Sequence, residues 1–325
     1  MHSPGANVNE PRTPRLLPLA LAAAILAVST ASIFIRFAQE QAPSLVIAAY
    51  RLTFASVILA PLALTRFRGE LRRLSSREWI QAMLAGFFLA LHFATWITSL
   101  DFTTVASSVV LVSTSPLWVA LLSPLLLHEK PTRSIYLGMA LALAGGIVIG
   151  ISDACDLQAR FSCPPINEFL HGQSMWGNLL ALAGALMVTG YLLIGRRLRA
   201  GMSLIPYVFL VYSIAAAVLI LIMLVARQSP FGYPPAAYLW MLLLALVPQL
   251  IGHSTYNWSL RYLPASLVAV TTLGEPIGST ILATFLLQET PGMIKIAGGI
   301  LILLGIWLAS RVTSIGAGKG SSRDP

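Results

Sequence analysis

Glu275 sits directly before Pro276 inside a long apolar stretch, residues 263–287. At the centre of a bilayer an ionisable side chain costs about 2.5–3.5 kcal/mol even on the lenient insertion scale, so its presence needs a reason. Two chemistries suit it: holding a cationic amine, or carrying a proton. The competing reading is structural, a neutral acid that hydrogen-bonds to a neighbouring helix and holds a proline kink. Pro276 has no N–H to give, which predicts a free carbonyl at Thr272 and a polar notch beside the acid. On a regular helix Thr271, Glu275 and Ser279 share one face, and all three are candidate ligand-binding residues.

Other apolar stretches carry polar residues at helical spacing. Gln249, His253 and Asn257 follow one another at i, i+4 and i+8, with Tyr256 and Trp258 alongside; His92 and Trp96 form a similar pair. Such stripes would be wasted on lipid. Gln249, His253, Tyr256, Asn257, His92 and Trp96 are therefore expected to face a cavity or another helix, where each histidine either meets a ligand or bonds between helices. Neither pair has a carboxylate or cysteine at ligand spacing, so no metal site is expected. Arg51, beside Tyr50, has three readings: snorkelling to the nearer bilayer face, meeting the carboxylate of a bound molecule, or meeting Glu275. Hydroxyls within spans often bond back to their own helix, and among those of residues 107–115 Ser108 and Ser115 are kept as candidates. Glu129 and Glu289 are each followed two residues later by proline, and read as helix-end caps in preference to gates.

These side chains need a scaffold that holds them in lipid. Hydrophobic residues make up 57% of the 325 and charged residues only 10%, where a soluble domain carries about 25% charge. Mean hydropathy is +0.79. Ten segments are long enough to span, approximately 17–38, 44–65, 79–100, 103–126, 134–151, 175–195, 204–226, 236–258, 263–287 and 292–311. All are expected to be helices, since lipid offers the backbone no other partner. The first exceeds the 7–15 apolar residues of a signal peptide and is expected to be retained.

A net charge of +9 would suit nucleic acid, but its distribution argues otherwise. With both termini cytoplasmic, 16 of the 21 Lys and Arg residues fall on the inner side, the bias that sets membrane orientation. No nucleic-acid partner is expected; the partners are the bilayer, a small molecule and, as candidate coupling ion, the proton. Cys155 and Cys163 lie in the longest loop, which this topology places outside, either as a disulfide or as two unpaired thiols. No glycine run forms a GxGxxG or Walker loop, so no cofactor is expected.

The chain also repeats itself. Residues 92–151 and 252–311 match at 14 of 60 positions in one gapless register, offset by 160. Ser99-Leu100 pairs with Ser259-Leu260, Pro116 with Pro276, Glu129 with Glu289, Gly138 with Gly298 and Gly145 with Gly305. Two units follow, 17–151 and 175–311, joined by the loop 152–174 and flanked by polar tails, 1–16 and 312–325. Five spans per unit is an odd number, so the second unit enters the membrane upside down relative to the first. The expected fold is an all-α polytopic membrane protein of ten transmembrane helices, two inverted five-helix repeats around a central cavity. Ser115 and Glu275 are repeat-mates, so the duplication differs there by one carboxylate.

Trp96-Ile-Thr-Ser-Leu100, Ala106 through Pro116, Glu129-Lys-Pro131 and Gly138, with their second copies Tyr256-Asn-Trp-Ser-Leu260, Leu273-Gly-Glu-Pro276, Glu289-Thr-Pro291 and Gly298 through Gly305, resemble the EamA domain of the drug/metabolite transporter superfamily. The resemblance covers nearly the whole membrane region and implies ten helices around a cavity. It also implies export of amino acids or related metabolites across the plasma (inner) membrane. Efflux of cationic compounds, with Glu275 as counter-charge, is the alternative transport reading. A membrane enzyme or a non-transporting scaffold is disfavoured, because the spans contain no HExxH, no GxSxG and no carboxylate pair within a helix turn.

Overall fold

Backbone groups in hydrocarbon must bond within their own helix, and the computed structural model follows that demand. It describes residues 14–127, 133–154, 172–263 and 265–318, in which no strand occurs. Cys155, Cys163, Glu129 and most of the 152–174 loop lie outside the described residues.

In chain order the helices are α1 (Leu17–Ser29), α2 (Ala31–Gln39), α3 (Ser44–Thr65), α4 (Arg68–Arg72), α5 (Ser76–Ser99), α6 (Val105–Val112), α7 (Ser115–Leu127) and α8 (Arg133–Ala154). They continue with α9 (Gln173–Gly201), α10 (Leu204–Val225), α11 (Pro235–Leu244), a π-helical segment (Ala245–His253), α12 (Ser254–Ser259), α13 (Ala265–Thr271), α14 (Gly274–Leu286) and α15 (Met293–Gly318). Among the described residues, seven stretches are long and apolar enough to cross a membrane: Leu17–Gln39, Ser44–Thr65, Ser76–Ser99, Val105–Leu122, Gln173–Gly201, Leu204–Val225 and Pro235–Ser259. The remaining three predicted segments fall on α8, on α13 with α14, and on α15; the first and last of these hold shorter apolar runs, Tyr136–Ile149 and Met293–Gly305. Outward faces are apolar: Leu26, Val225 and Phe285 are 72%, 75% and 74% exposed, while Arg51, Gln249 and Ser279 are fully buried. That inversion of the soluble pattern suits a multi-pass membrane protein.

Two breaks interrupt the ladder in the same register. Between α6 and α7 the helix stops at Ser113–Thr114, and between α13 and α14 it stops at Thr272–Leu273. Shifting the first by 160 residues lands on 273–274, within a residue of the second. Pro116 and Pro276 give the reason. Proline is tolerated in a first helical turn, where its missing N–H would have no partner anyway, so the chain restarts a helix around each one. The break also corrects two expectations. Thr271 ends up on α13 while Glu275 and Ser279 are on α14, so the three do not share one helical face. The Thr272 carbonyl is not free, because it accepts the Glu275 N–H at 2.9 Å.

A second irregularity lies between α11 and α12, where the ladder widens into a π-helix containing Pro248. Its i→i+5 bonding underwinds the chain. Residues four apart there fall short of a full turn, where in an α-helix they overshoot it.

Helices α8 and α15 pack closely through glycine. A Cβ placed on Gly145 would sit 2.5 Å from the Gly298 carbonyl oxygen, and one on Gly305 would sit 2.5 Å from that of Gly138. As residue numbers rise along α8 they fall along α15, so the helices cross antiparallel. The contact is reciprocal: Gly138 and Gly298 are repeat-mates, as are Gly145 and Gly305, and each meets the other pair's copy. Gly146 is different, since a Cβ there would meet only Leu111, at 3.6 Å. Gly145→Ala is therefore expected to lower the thermal stability of the purified protein, by about 1–3 kcal/mol for an overpacked site, while Gly146→Ala stays close to wild type. Thermal unfolding in detergent checks this, and equal melting of the two variants contradicts the packing.

Candidate functional site

The two breaks, α5, α9 and the end of the π segment converge on one cavity of about 60 Å³, room for a handful of waters at roughly 10–15 Å³ each. Helix α5 supplies His92 and Trp96. The first break supplies Val112, Ser113 and Ser115, and the second Val268, Ala269, Thr272 and Glu275. Helix α9 adds Val188, Tyr191 and Leu192; the π segment ends in His253, and α12 adds Tyr256 and Asn257. Among the described residues, Glu275 is the only Asp, Glu, Lys or Arg in this lining.

Hydrogen bonds and ring contacts fix several of these groups. His92 Nδ1 lies 2.9 Å from the Gly184 carbonyl oxygen; a carbonyl can only accept, so Nδ1 carries the proton. The ring stacks on Trp96, with centroids 5.8 Å apart and planes at 11°. Asn257 is buried at the head of a chain of bonds: Tyr191 donates its hydroxyl to Asn257 Oδ1 at 2.6 Å, and Asn257 Nδ2 donates to the Tyr212 hydroxyl at 3.3 Å. That hydroxyl pairs at 3.3 Å with Ser254 Oγ, which donates to the Gln249 carbonyl at 3.2 Å. Against this held frame, Trp96 Nε1 and the Tyr256 hydroxyl are buried without any hydrogen-bond partner.

Of the twelve candidates named from sequence, His92, Trp96, Ser115, His253, Tyr256, Asn257 and Glu275 line the cavity. Five do not. Thr271 donates its hydroxyl to the Val268 carbonyl at 2.7 Å, inside its own helix. Ser279 is buried and donates to the Ser29 carbonyl at 3.1 Å, tying α14 to α1. Ser108 pairs with Ser99 at 2.6 Å. Arg51 and Gln249 instead find each other, Arg51 Nε donating to Gln249 Oε1 at 2.8 Å. The guanidinium is fully buried, which removes the snorkelling reading, and lies 4.1 Å from the centroid of the Phe93 ring.

Sequence reasoning left out Val112, Val188, Leu192, Val268 and Ala269, which are ordinary apolar residues in apolar helices and carry no signal. Tyr191, Ser113 and Thr272 did carry one, as polar groups inside spans.

An ion pair links helix ends at one end of the bundle. Arg36 Nη2 donates to Glu289 Oε1 at 2.8 Å, and Arg36 Nη1 donates to the Leu100 carbonyl at 2.7 Å. Glu289 Oε2 accepts the Val105 N–H at 2.9 Å, at the start of α6. Glu289 is thus both a helix cap and a latch that joins α2, the end of α5, α6 and the segment after α14. A carboxylate at a helix N-terminus is favoured by the backbone dipole as well.

Comparison with known proteins agrees with this picture. The EamA-like transporter family matches at residues 16–151 and again at 175–311. An uncharacterised transporter of Archaeoglobus fulgidus is 23% identical over 299 residues, covering 90% of this chain and 96% of its own length. The pseudopaline exporter CntI of Pseudomonas aeruginosa is 26% identical over 238 residues, covering 73% of this chain and 77% of its own. A solved crystal structure shares the fold with a TM-score of 0.64 at 20% identity, covering 93% of this chain and 99% of that one. Two matches of one family over most of a helical, lipid-facing chain place it: the protein belongs to the EamA-like transporter family and is a multi-pass membrane transporter.

Proposed function

We propose that the protein exports small amphipathic metabolites, amino acids or related compounds, from the cytoplasm by alternating access. In this reading the ten spans form two inverted five-helix repeats, both termini are cytoplasmic, and the membrane is the plasma (inner) membrane. The reciprocal α8–α15 contact, its antiparallel crossing and the two breaks in one register support the inversion. The inward bias of Lys and Arg supports the orientation. A relative named as an exporter supports the direction.

The observation that carries the functional reading is Glu275, among the described residues the one carboxylate in a cavity otherwise lined by rings, hydroxyls, an amide and aliphatic groups. Aliphatic and aromatic walls suit an apolar side chain, while one acid suits an ammonium group or a coupling proton. The small cavity, with the Arg36–Glu289 ion pair joining helix ends at one end of the bundle, suits one state of an alternating-access cycle. Efflux of cationic compounds remains the second reading, because Glu275 alone supplies the charge such cargo needs.

Glu275→Gln keeps shape and hydrogen bonding but removes titration. In proteoliposomes loaded with a radiolabelled metabolite panel, this change is expected to cut flux at least about tenfold, near 1.4 kcal/mol in rate, and to flatten the pH profile. Wild-type flux and pH profile in Glu275→Gln, with loss of folding only in Glu275→Leu, would leave Glu275 as a packing residue.

A further inference from the structure

Arg51 is a buried cation whose hydrogen bonding is mostly unmet. Of its guanidinium nitrogens only Nε has a partner, Gln249; Nη1 and Nη2 are buried with none, as is Gln249 Nε2. Among the described residues no carboxylate lies within ion-pair distance of it. Buried donors are normally satisfied, and each exception asks what satisfies it in another state of the molecule. Here four N–H donors on a planar fork face no acceptor, which is the arrangement that receives a carboxylate through two parallel bonds.

The position fits a ligand. Phe93, under the guanidinium, packs its ring at 4.8 Å from His92, 6.3 Å from Trp96 and 5.5 Å from His253, all three in the cavity wall. Arg51 therefore stands one aromatic layer behind the lining. Two further partnerless groups, Trp96 Nε1 and the Tyr256 hydroxyl, belong to that lining. Glu275 lines the same cavity as His92, Trp96 and His253, outside ion-pair distance of Arg51.

We propose that Arg51, held by Gln249 and Phe93, is the carboxylate-recognising group of the transport site, with Glu275 receiving the ammonium of the same molecule. The substrate class is then an amino acid or related zwitterion with an apolar side chain, carried against Val188 and Leu192. This rests on the transport reading above and narrows it. Phe93 must turn aside for the carboxylate to reach the fork.

Three probes separate the parts: leucine, isopentylamine (leucine without its carboxylate) and 4-methylpentanoate (leucine without its amine). Binding to the purified full-length protein is read by equilibrium binding and by ligand-induced thermal shift. Wild type should bind leucine about tenfold or more tightly than isopentylamine, the worth of one charge-assisted bidentate contact. Arg51→Gln should erase that gap and lose 4-methylpentanoate, while isopentylamine binding stays within about twofold. Glu275→Gln should do the converse. If Arg51→Gln does not fold, Arg51→Lys keeps the charge without the fork and should narrow the gap. An undiminished preference for leucine in the folded Arg51 variant overturns the assignment of Arg51 and leaves the transport reading standing. Wild type that prefers isopentylamine, or ignores leucine, overturns the zwitterion class and favours cationic cargo.

Discussion

Every polar group between the two faces of a bilayer has to find its partner inside the protein, and the rest of this structure depends on that constraint. It makes the described chain helical throughout, and it turns leucine, isoleucine and phenylalanine outward while drawing Arg51, Gln249, Asn257 and Ser279 inward. Polar side chains gathered in this way meet, and where they do not saturate one another they leave a cavity with unmet donors. In this protein the candidate site is what remains after the helices have satisfied themselves.

The duplicated halves divide the work unevenly. Both copies supply a proline-induced break, and both breaks border the cavity, so the repeat builds the container twice. At equivalent places, however, one copy presents Ser115 and the other Glu275. Ends of broken helices bring backbone polarity to the middle of a membrane, where a transporter needs it. The carboxylate adds charge on one side only. A substrate with two different polar ends would feel that asymmetry and a symmetric one would not.

Much of this was legible beforehand, for one physical reason: a polar residue inside an apolar span is costly and therefore informative. Glu275, His92, His253 and Asn257 stand out on that ground alone, and the structure places them in the cavity wall. One misplacement has an identifiable cause as well. Thr271 was positioned by assuming an unbroken 3.6-residue period, which the break at Thr272–Leu273 before Pro276 interrupts, whereas Gln249, beside Pro248 in the π segment, meets Arg51 on another helix, one of the two placements its stripe allowed. Both prolines were visible, but a proline can kink, break or widen a helix, and only packing decides which. Val188 and Leu192 could not have been found, since an aliphatic residue facing a cavity looks the same as one facing a neighbour. Gly145 and Gly298 were visible as repeated glycines, whereas their meeting across the two halves needed coordinates.

The central claim is that the cavity between the two breaks is the transport path, open in turn to each side. A single cysteine at Ser115, in a chain with Cys155 and Cys163 replaced by serine, tests it directly. The measurement is the rate of its labelling by a membrane-impermeant maleimide in right-side-out and inside-out vesicles, with and without transported solute. The account predicts labelling from both sides, slowed from both when the solute occupies the cavity. Labelling from one side only, or labelling that solute leaves unchanged, would contradict it.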